Sequence, residues 1–190
     1  MLKKGRLIVF SAPSGSGKTT IVREILSSHR DFVFSISATT RKKRASEKNG
    51  IDYYFISEDE FKRRIDDGDF VEWEKFYDYY YGTLKSVVNE NLNNGLTSVF
   101  EVDVKGAVSI KKVYPDAILI FIVPPSIEEL KQRLIKRNTE SEEDLKKRIA
   151  RAEMELGYKD KFDYVVSNID LDEAKKEVKN IIEKEISLEV

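Results

Sequence analysis

Short, wholly apolar runs punctuate this chain, separated by stretches in which apolar residues recur every three or four positions. Leu7-Ile8-Val9-Phe10, Thr97 to Val102 and Ala117 to Val123 are runs of the first kind, the signature of strands covered on both faces, and Tyr164-Val165-Val166 is a shorter candidate. Thr19 to Ser28 has helical spacing. Ser126-Ile127-Glu128-Glu129 has the spacing of a capping box, with Leu130, Leu134 and Ile135 as the apolar face behind it. Ala174, Val178, Ile181, Ile182 and Ile186 predict an amphipathic helix from Asp170 to about Ser187 that packs on the sheet. Strand-like and helix-like segments in alternation predict an α/β fold with a largely parallel sheet.

Two stretches depart from this rhythm. Residues 34–96 are rich in tyrosine and charge, with strand-like patterning at Tyr53-Tyr54-Phe55-Ile56 and Phe70 to Phe76 around a capped helix that starts near Ser57, and read as an inserted lobe. Asn138 to Glu155 is a charged helical stretch with few large apolar residues, poorly equipped to join the core, and its composition suits a mobile cover. No linker or repeat divides the chain, so its 190 residues predict one domain.

Composition narrows the chemistry. The chain has no cysteine and one histidine, His29, which excludes disulfides, thiolate nucleophiles and zinc sites built from either residue. His29 itself falls at the expected end of the first helix, where an imidazolium would face the helix dipole. Lys and Arg total 33 against 34 Asp and Glu, so the net charge of -1 gives no sign of a nucleic-acid or anionic-membrane partner. Ala117 to Pro125, the longest apolar stretch, falls far short of the roughly 20 residues that span a bilayer, and the expectation is a cytoplasmic protein. What remains is chemistry performed with Lys, Arg, carboxylates, tyrosine and backbone amides, with a metal ion brought in by the substrate, a profile that suits phosphoryl transfer.

The first strand runs into Ala12-Pro13-Ser14-Gly15-Ser16-Gly17-Lys18-Thr19, a P-loop pattern with alanine in place of the first glycine. Successive backbone N–H groups in such a loop, backed by a helix N-terminus, cradle phosphate oxygens. Lys18 is then expected to reach the β- and γ-phosphates and Thr19 to ligate Mg²⁺. Such a loop specifies a nucleotide and leaves the reaction open.

In the inserted lobe, Arg41 and Arg44 sit in the basic run Arg41-Lys42-Lys43-Arg44. Guanidinium groups bind phosphate bidentately, whereas Lys42 and Lys43 read as a solvated face. Spacing alone does not place either arginine at a phosphate. Glu72 and the segment Asp78-Tyr79-Tyr80-Tyr81-Gly82-Thr83 add a carboxylate and hydroxyls. Guanine presents N–H donors on one edge and acceptors at O6 and N7, so a carboxylate with hydroxyls matches it, and adenine would leave the carboxylate unsatisfied. Tyr79 and Tyr80 read as packing residues.

Over essentially its full length the chain resembles the guanylate kinases, P-loop enzymes that use ATP to convert GMP to GDP. The likeness rests on Phe10-Ser11 with the loop that follows, Ser37-Ala38-Thr39-Thr40-Arg41 with Arg44 and Glu47, Asn49-Gly50 with Asp52-Tyr53, Glu72-Trp73, Tyr80-Tyr81-Gly82, Glu101-Val102-Asp103 and Asn168. It implies a three-layer P-loop fold with a core of residues 1–33, 97–137 and 156–190. A mixed α+β GMP-binding lobe of residues 34–96 and a helical lid of residues 138–155 complete it. GMP would be held by Arg41, Arg44, Tyr53 and Tyr81 around its phosphate, with Ser37, Glu72, Thr83 and Asp103 reading the base and Glu47 as a further GMP-binding residue. ATP would lie on Ala12, Pro13, Ser14, Gly15, Ser16, Gly17, Lys18, Thr19 and Thr20, with Asn168 near adenine. Arg137 and Arg148 would close over the phosphates from the lid, so that Lys18, Arg41, Arg137 and Arg148 carry catalysis. Mg²⁺ would arrive with ATP, on Thr19 and with Glu101 in its outer shell.

Ala12, Asn138 and Lys105 depart from the family pattern, which shows glycine, glycine and often glutamine there. The resemblance also implies dGMP as a second acceptor, a place in purine nucleotide metabolism and GMP recycling, and no nucleic-acid or membrane partner. Two rival readings are a non-catalytic module gripping a phosphorylated peptide and a related kinase with another acceptor. The joint presence of Lys18, Thr19 and the lid arginines opposes the first; Glu72 with Ser37 and Thr83 opposes the second.

Overall fold

Hydrophobic burial selects the strands: all five residues of Leu7–Ser11 are buried, as are Ile118 to Ile122, which is why neither segment shows alternation. The computed structural model describes residues 5–76, 78–136 and 142–187. In chain order the elements are β1 (Leu7–Ser11), α1 (Lys18–Ser28), β2 (Phe32–Phe34), β3 (Ala38–Thr39), β4 (Tyr54–Phe55), α2 (Glu58–Asp66), β5 (Phe70–Phe76) and β6 (Tyr79–Leu84). They continue with α3 (Lys85–Asn93), β7 (Thr97–Glu101), α4 (Val104–Val113), β8 (Ile118–Val123), α5 (Ile127–Lys136), α6 (Glu142–Leu156), β9 (Tyr164–Ser167) and α7 (Leu171–Ser187). This is the expected α/β class with a mostly parallel central sheet.

The chain divides into two units. One holds Asp31–Phe100 and Val108–Ala117 with the described residues before Ile8, and the other holds Ile8–Arg30, Glu101–Ala107 and the described residues from Ile118 onward.

In the second unit β8 pairs in parallel with β1, Ile8 opposite Ile118, and with β9, Ile120 opposite Tyr164. Helix α1 buries Ile21, Val22 and Ile25, and α7 buries Ala174, Val178 and Ile182 at the spacing read from the sequence. Helix α7 starts one residue later than expected because Asp170 caps it, its Oδ1 accepting the N–H groups of Asp172 and Glu173 at 2.9 and 3.0 Å. Ser126 Oγ likewise accepts the Glu129 N–H at 3.0 Å at the head of α5. Contrary to the composition argument, α6 finds an apolar partner: Leu145, Ile149 and Ala152 pack on Leu130 of α5 as a small separate cluster. Residues 138–141 of the expected lid lie outside the described residues. His29 follows α1, its Nδ1 3.0 Å from the Ile25 carbonyl.

In the first unit β2 and β7 pair in parallel, Phe32 opposite Thr97. A separate four-stranded sheet runs β4-β3-β6-β5, parallel only between β3 and β4. Its core is Ala38, Phe61, Phe70 and Leu84, joined by Tyr80, with the Phe61 and Phe70 rings stacked at 4.3 Å. Ser57 caps α2 by accepting the Glu60 N–H at 3.2 Å. Of the paired tyrosines, Tyr80 packs as expected and Tyr79 is exposed. A register shift between Phe70 and Glu72 sets Glu72 opposite Thr83. Gly82 is required beside it, because a Cβ there would lie 2.8 Å from Trp73 Cβ and 2.9 Å from the Glu72 carbonyl. Among the described residues no helix is long and apolar enough to cross a membrane.

Candidate active site

In the second unit the loop between β1 and α1 adopts the expected cradle. Gly15 and Gly17 take left-handed φ of 94° and 87°, which turn the backbone amides while avoiding a Cβ penalty. The Ser16 N–H closes a turn onto the Pro13 carbonyl at 3.1 Å, and the Thr20 N–H donates to the Gly17 carbonyl at 3.2 Å in the first turn of α1. Ala12 and Pro13 lead into the loop, with Ser14 exposed at its tip.

Two side chains at the head of α1 converge on one carboxylate at the end of β7. Thr19 Oγ1 donates to Glu101 Oε2 at 2.9 Å, and Lys18 Nζ lies 3.4 Å from the same oxygen. Desolvation pulls the Lys18 ammonium below its ordinary value, with the Glu101 carboxylate opposing that shift. The hydroxyl and the carboxylate are hard oxygen donors that fit Mg²⁺. Among the described residues no group of three His, Cys, Asp or Glu could hold a metal alone.

Asn168 is buried behind this loop. Its Nδ2 donates to the Ser16 carbonyl at 2.7 Å, its backbone N–H donates to the Val123 carbonyl at 2.8 Å, and a Cβ on Gly17 would meet Nδ2 at 2.3 Å. It therefore braces the loop, a contact the sequence did not reveal.

Asp103 opens α4, its Oδ1 accepting the Gly106 N–H at 2.7 Å, while its Oδ2 lies 3.5 Å from Nη2 of Arg151 on α6. Arg151 Nε donates to Glu155 at 2.9 Å. Burial pushes the Glu155 carboxyl up, with Arg151 opposing, and both Glu155 and Asp103 act electrostatically on Lys18. Sequence reading overlooked Arg151 and Glu155, although their four-residue spacing on a helix is a legible pairing signal. Arg148 is half-buried on α6, Lys105 is exposed on α4, and Arg137 lies outside the described residues.

In the first unit the basic run forms a tight loop organised by Glu47. Its Oε1 and Oε2 accept Arg41 Nη2 and Nη1 at 2.7 and 3.0 Å, and Oε2 also accepts the Arg44 N–H at 2.7 Å. These donors hold the Glu47 carboxyl at a pKa of about 2, with the Arg41 side chain the larger cause and the Arg44 N–H the next. The Arg41 guanidinium lies over the rings of Tyr53 and Phe55 at 5.4 and 5.7 Å, and Tyr81 meets Tyr53 edge-on at 6.1 Å. Burial raises the Tyr53 phenol, and the neighbouring Tyr81 adds to it. Arg41, Glu47, Tyr53 and Tyr81 thus come together, with the exposed Arg44 close enough to act on Tyr53.

Elsewhere in this unit the buried Thr83 donates its hydroxyl to Glu72 Oε1 at 2.7 Å, so the carboxylate predicted to read a base is held in place by its cross-strand neighbour. Ser37 lies at the entry to β3, its carbonyl accepting the Tyr54 N–H at 2.9 Å.

Comparison with known proteins agrees with this geometry. The guanylate kinase family model matches residues 4–185. The chain is 49% identical to a guanylate kinase of Caldanaerobacter subterraneus subsp. tengcongensis over 180 residues, covering 95% of this chain and 87% of that protein. It is 44% identical to one of Thermotoga maritima over 182 residues, covering 96% and 88%. Among solved structures, guanylate kinase from Anaplasma phagocytophilum superposes with a TM-score of 0.74 at 28% identity, covering 98% of this chain and 89% of that one. The chain belongs to the guanylate kinase family.

Proposed function

We propose that the protein transfers the γ-phosphoryl group of ATP to the phosphate of GMP, giving ADP and GDP. In this reaction the bond from the γ-phosphorus to the bridging oxygen breaks, that oxygen leaves with ADP, and an oxygen of the GMP phosphate takes its place. The observation that carries the reading is the convergence of Lys18 and Thr19 on Glu101 behind the glycine loop.

ATP phosphates are assigned to the amides from Ala12 to Thr20 and to Lys18, with Arg137 and Arg148 as further cations. Thr19 would hold Mg²⁺ and Glu101 its bound water, the remaining ligands coming from the nucleotide. The ion supplies neutralisation of the phosphate charge. The GMP phosphate is assigned to Arg41, Arg44, Tyr53 and Tyr81, and the base to Ser37, Glu72, Thr83 and Asp103. Joining two polyanions requires in-line positioning and positive charge more than proton transfer. The acceptor is already a nucleophilic anion near neutrality, its second pKa being about 6. That need is met by a chain with one histidine.

Because dGMP offers the same base and phosphate to these residues, it is proposed as a second substrate. The functional division proposed is a core of residues 1–33, 97–137 and 156–190, a GMP lobe of residues 34–96 and a lid of residues 138–155. The reaction would recycle GMP in cytoplasmic purine nucleotide metabolism.

The test is Lys18→Met in a steady-state assay coupled to ADP release. Loss of one such electrostatic contact predicts a fall in kcat of at least about a hundredfold with the fold retained by circular dichroism. A kcat within a fewfold of the original would refute the assignment.

A further inference from the structure

The loop that follows β3 contains a carboxylate in a place where a phosphate is expected to bind. Glu47 is held by the loop itself: besides taking the Arg44 N–H, its backbone N–H donates to the Arg44 carbonyl at 3.1 Å and its carbonyl accepts Lys43 Nζ at 2.9 Å. A carboxylate fixed by so many local bonds is part of the scaffold, and Arg41 docks on it.

The manner of docking matters. A guanidinium has five N–H donors in a rigid plane. Glu47 takes the end of the fork, through Nη1 and Nη2, and the Lys42 carbonyl takes Nη1 as well at 2.8 Å. Glu47 and the Lys42 carbonyl leave to other partners Nε–H and the second hydrogen of Nη2, which are parallel and form the side edge of the fork, a second bidentate face suited to a phosphate, with the Tyr81 hydroxyl as a further hydrogen-bond partner of the guanidinium. The rings of Tyr53 and Phe55 lie on the guanidinium and resist its tilting, and the Tyr81 hydroxyl acts on it too.

We propose that Glu47 is a positioning residue, clamping the end of Arg41 so that its side edge is presented to the GMP phosphate. This inference rests on the reading of Arg41 as an acceptor-phosphate ligand, and it gives Glu47 no contact with GMP.

The sign of one substitution separates this role from a bare charge effect. A carboxylate near a phosphate dianion repels it, so if charge alone mattered Glu47→Gln would improve GMP use. If Glu47 preorganises Arg41, the same change frees an arginine whose rotamers must then be frozen on binding, and GMP use worsens.

The experiment measures kcat/KM for GMP and KM for ATP in the full-length protein and in Glu47→Gln, Arg41→Met and the double variant, with thermal unfolding as a check on folding. The expected result is a fall of roughly tenfold or more in kcat/KM for GMP in Glu47→Gln, with KM for ATP within twofold of the original. In the Arg41→Met background the same change should have no further effect. An unchanged or increased kcat/KM for GMP, or a tenfold loss that persists without Arg41, overturns the inference. If Glu47→Gln does not fold, Glu47→Asp replaces it: a shorter carboxylate keeps the charge but draws the fork out of place, so a loss specific to GMP supports positioning and unchanged GMP use overturns it. An unmodified protein that leaves GMP unphosphorylated refutes instead the reading on which the inference rests.

Discussion

Replacing Asn168 by leucine removes the side chain that braces the phosphate loop. Leucine keeps the branched outline of asparagine with bulkier methyl groups, so the change deletes the hydrogen bond, crowds the loop and leaves the Ser16 carbonyl facing an apolar group. Asn168 is 4% exposed and its Nδ2 sits 2.7 Å from that carbonyl, so water has little access to compensate. An unsatisfied buried acceptor costs about 1–3 kcal/mol. In a domain of this size each kcal/mol moves Tm by about 2–4 °C, so the expected loss is roughly 2–12 °C by scanning calorimetry. Asn168→Asp sharpens the case, because its carboxylate would face a carbonyl oxygen unless protonated. Burial and that carbonyl would raise the introduced group's pKa above its unfolded value, so its protonated native form is favoured at low pH and stability is lost as pH rises. The Tm deficit relative to the original protein should therefore shrink as pH falls toward about 4. Since the brace holds the loop, ATP binding should weaken in both variants. A Tm within 1 °C of the original for Asn168→Leu, or a deficit in Asn168→Asp that does not change with pH, would show that Asn168 does not brace the loop.

Two further outcomes follow from the acceptor residues. Glu72→Gln removes the charge that Thr83 holds and that is proposed to read the base; a hydrogen bond to a charged group is worth about 1.5–3 kcal/mol, so KM for GMP should rise roughly ten- to a hundredfold while KM for ATP stays put. Equal losses for both nucleotides would contradict the base-reading role. The Glu47 carboxyl is lowered from 4.5 to about 2, so its contribution to stability is complete above about 4.5 and is lost as pH falls through about 2. The Tm difference between the original protein and Glu47→Gln should accordingly be flat from about pH 5 to 8 and decline only below that range; a change near neutrality would show that another group is titrating.

Local pattern made much of this legible. The apolar runs that became β1, β7 and β8, the cap signals at Ser57 and Ser126, and the spacing that became α7 are all short-range signals, and each appears in the structure. The glycine loop was equally plain, because its chemistry lies in consecutive residues. What escaped depends on partners distant in sequence. The strands β2 and β3 are three and two residues long, too short to show a period. The brace joining Asn168 to Ser16 spans 152 positions, and its meaning comes from the return of β9 beside β8. Glu47 shows the opposite limit: six residues from Arg41, it enters through the family resemblance as one more GMP-binding residue, and only the two-oxygen docking of the fork points to a supporting role.

Everything proposed for the site depends on phosphoryl transfer from ATP to a guanine nucleotide. ADP release measured with ATP, Mg²⁺ and, in turn, GMP, dGMP, AMP, CMP and UMP tests it most directly. Rapid turnover with GMP, turnover with dGMP and rates near background with the other three are expected; turnover with AMP in place of GMP would overturn the assignment.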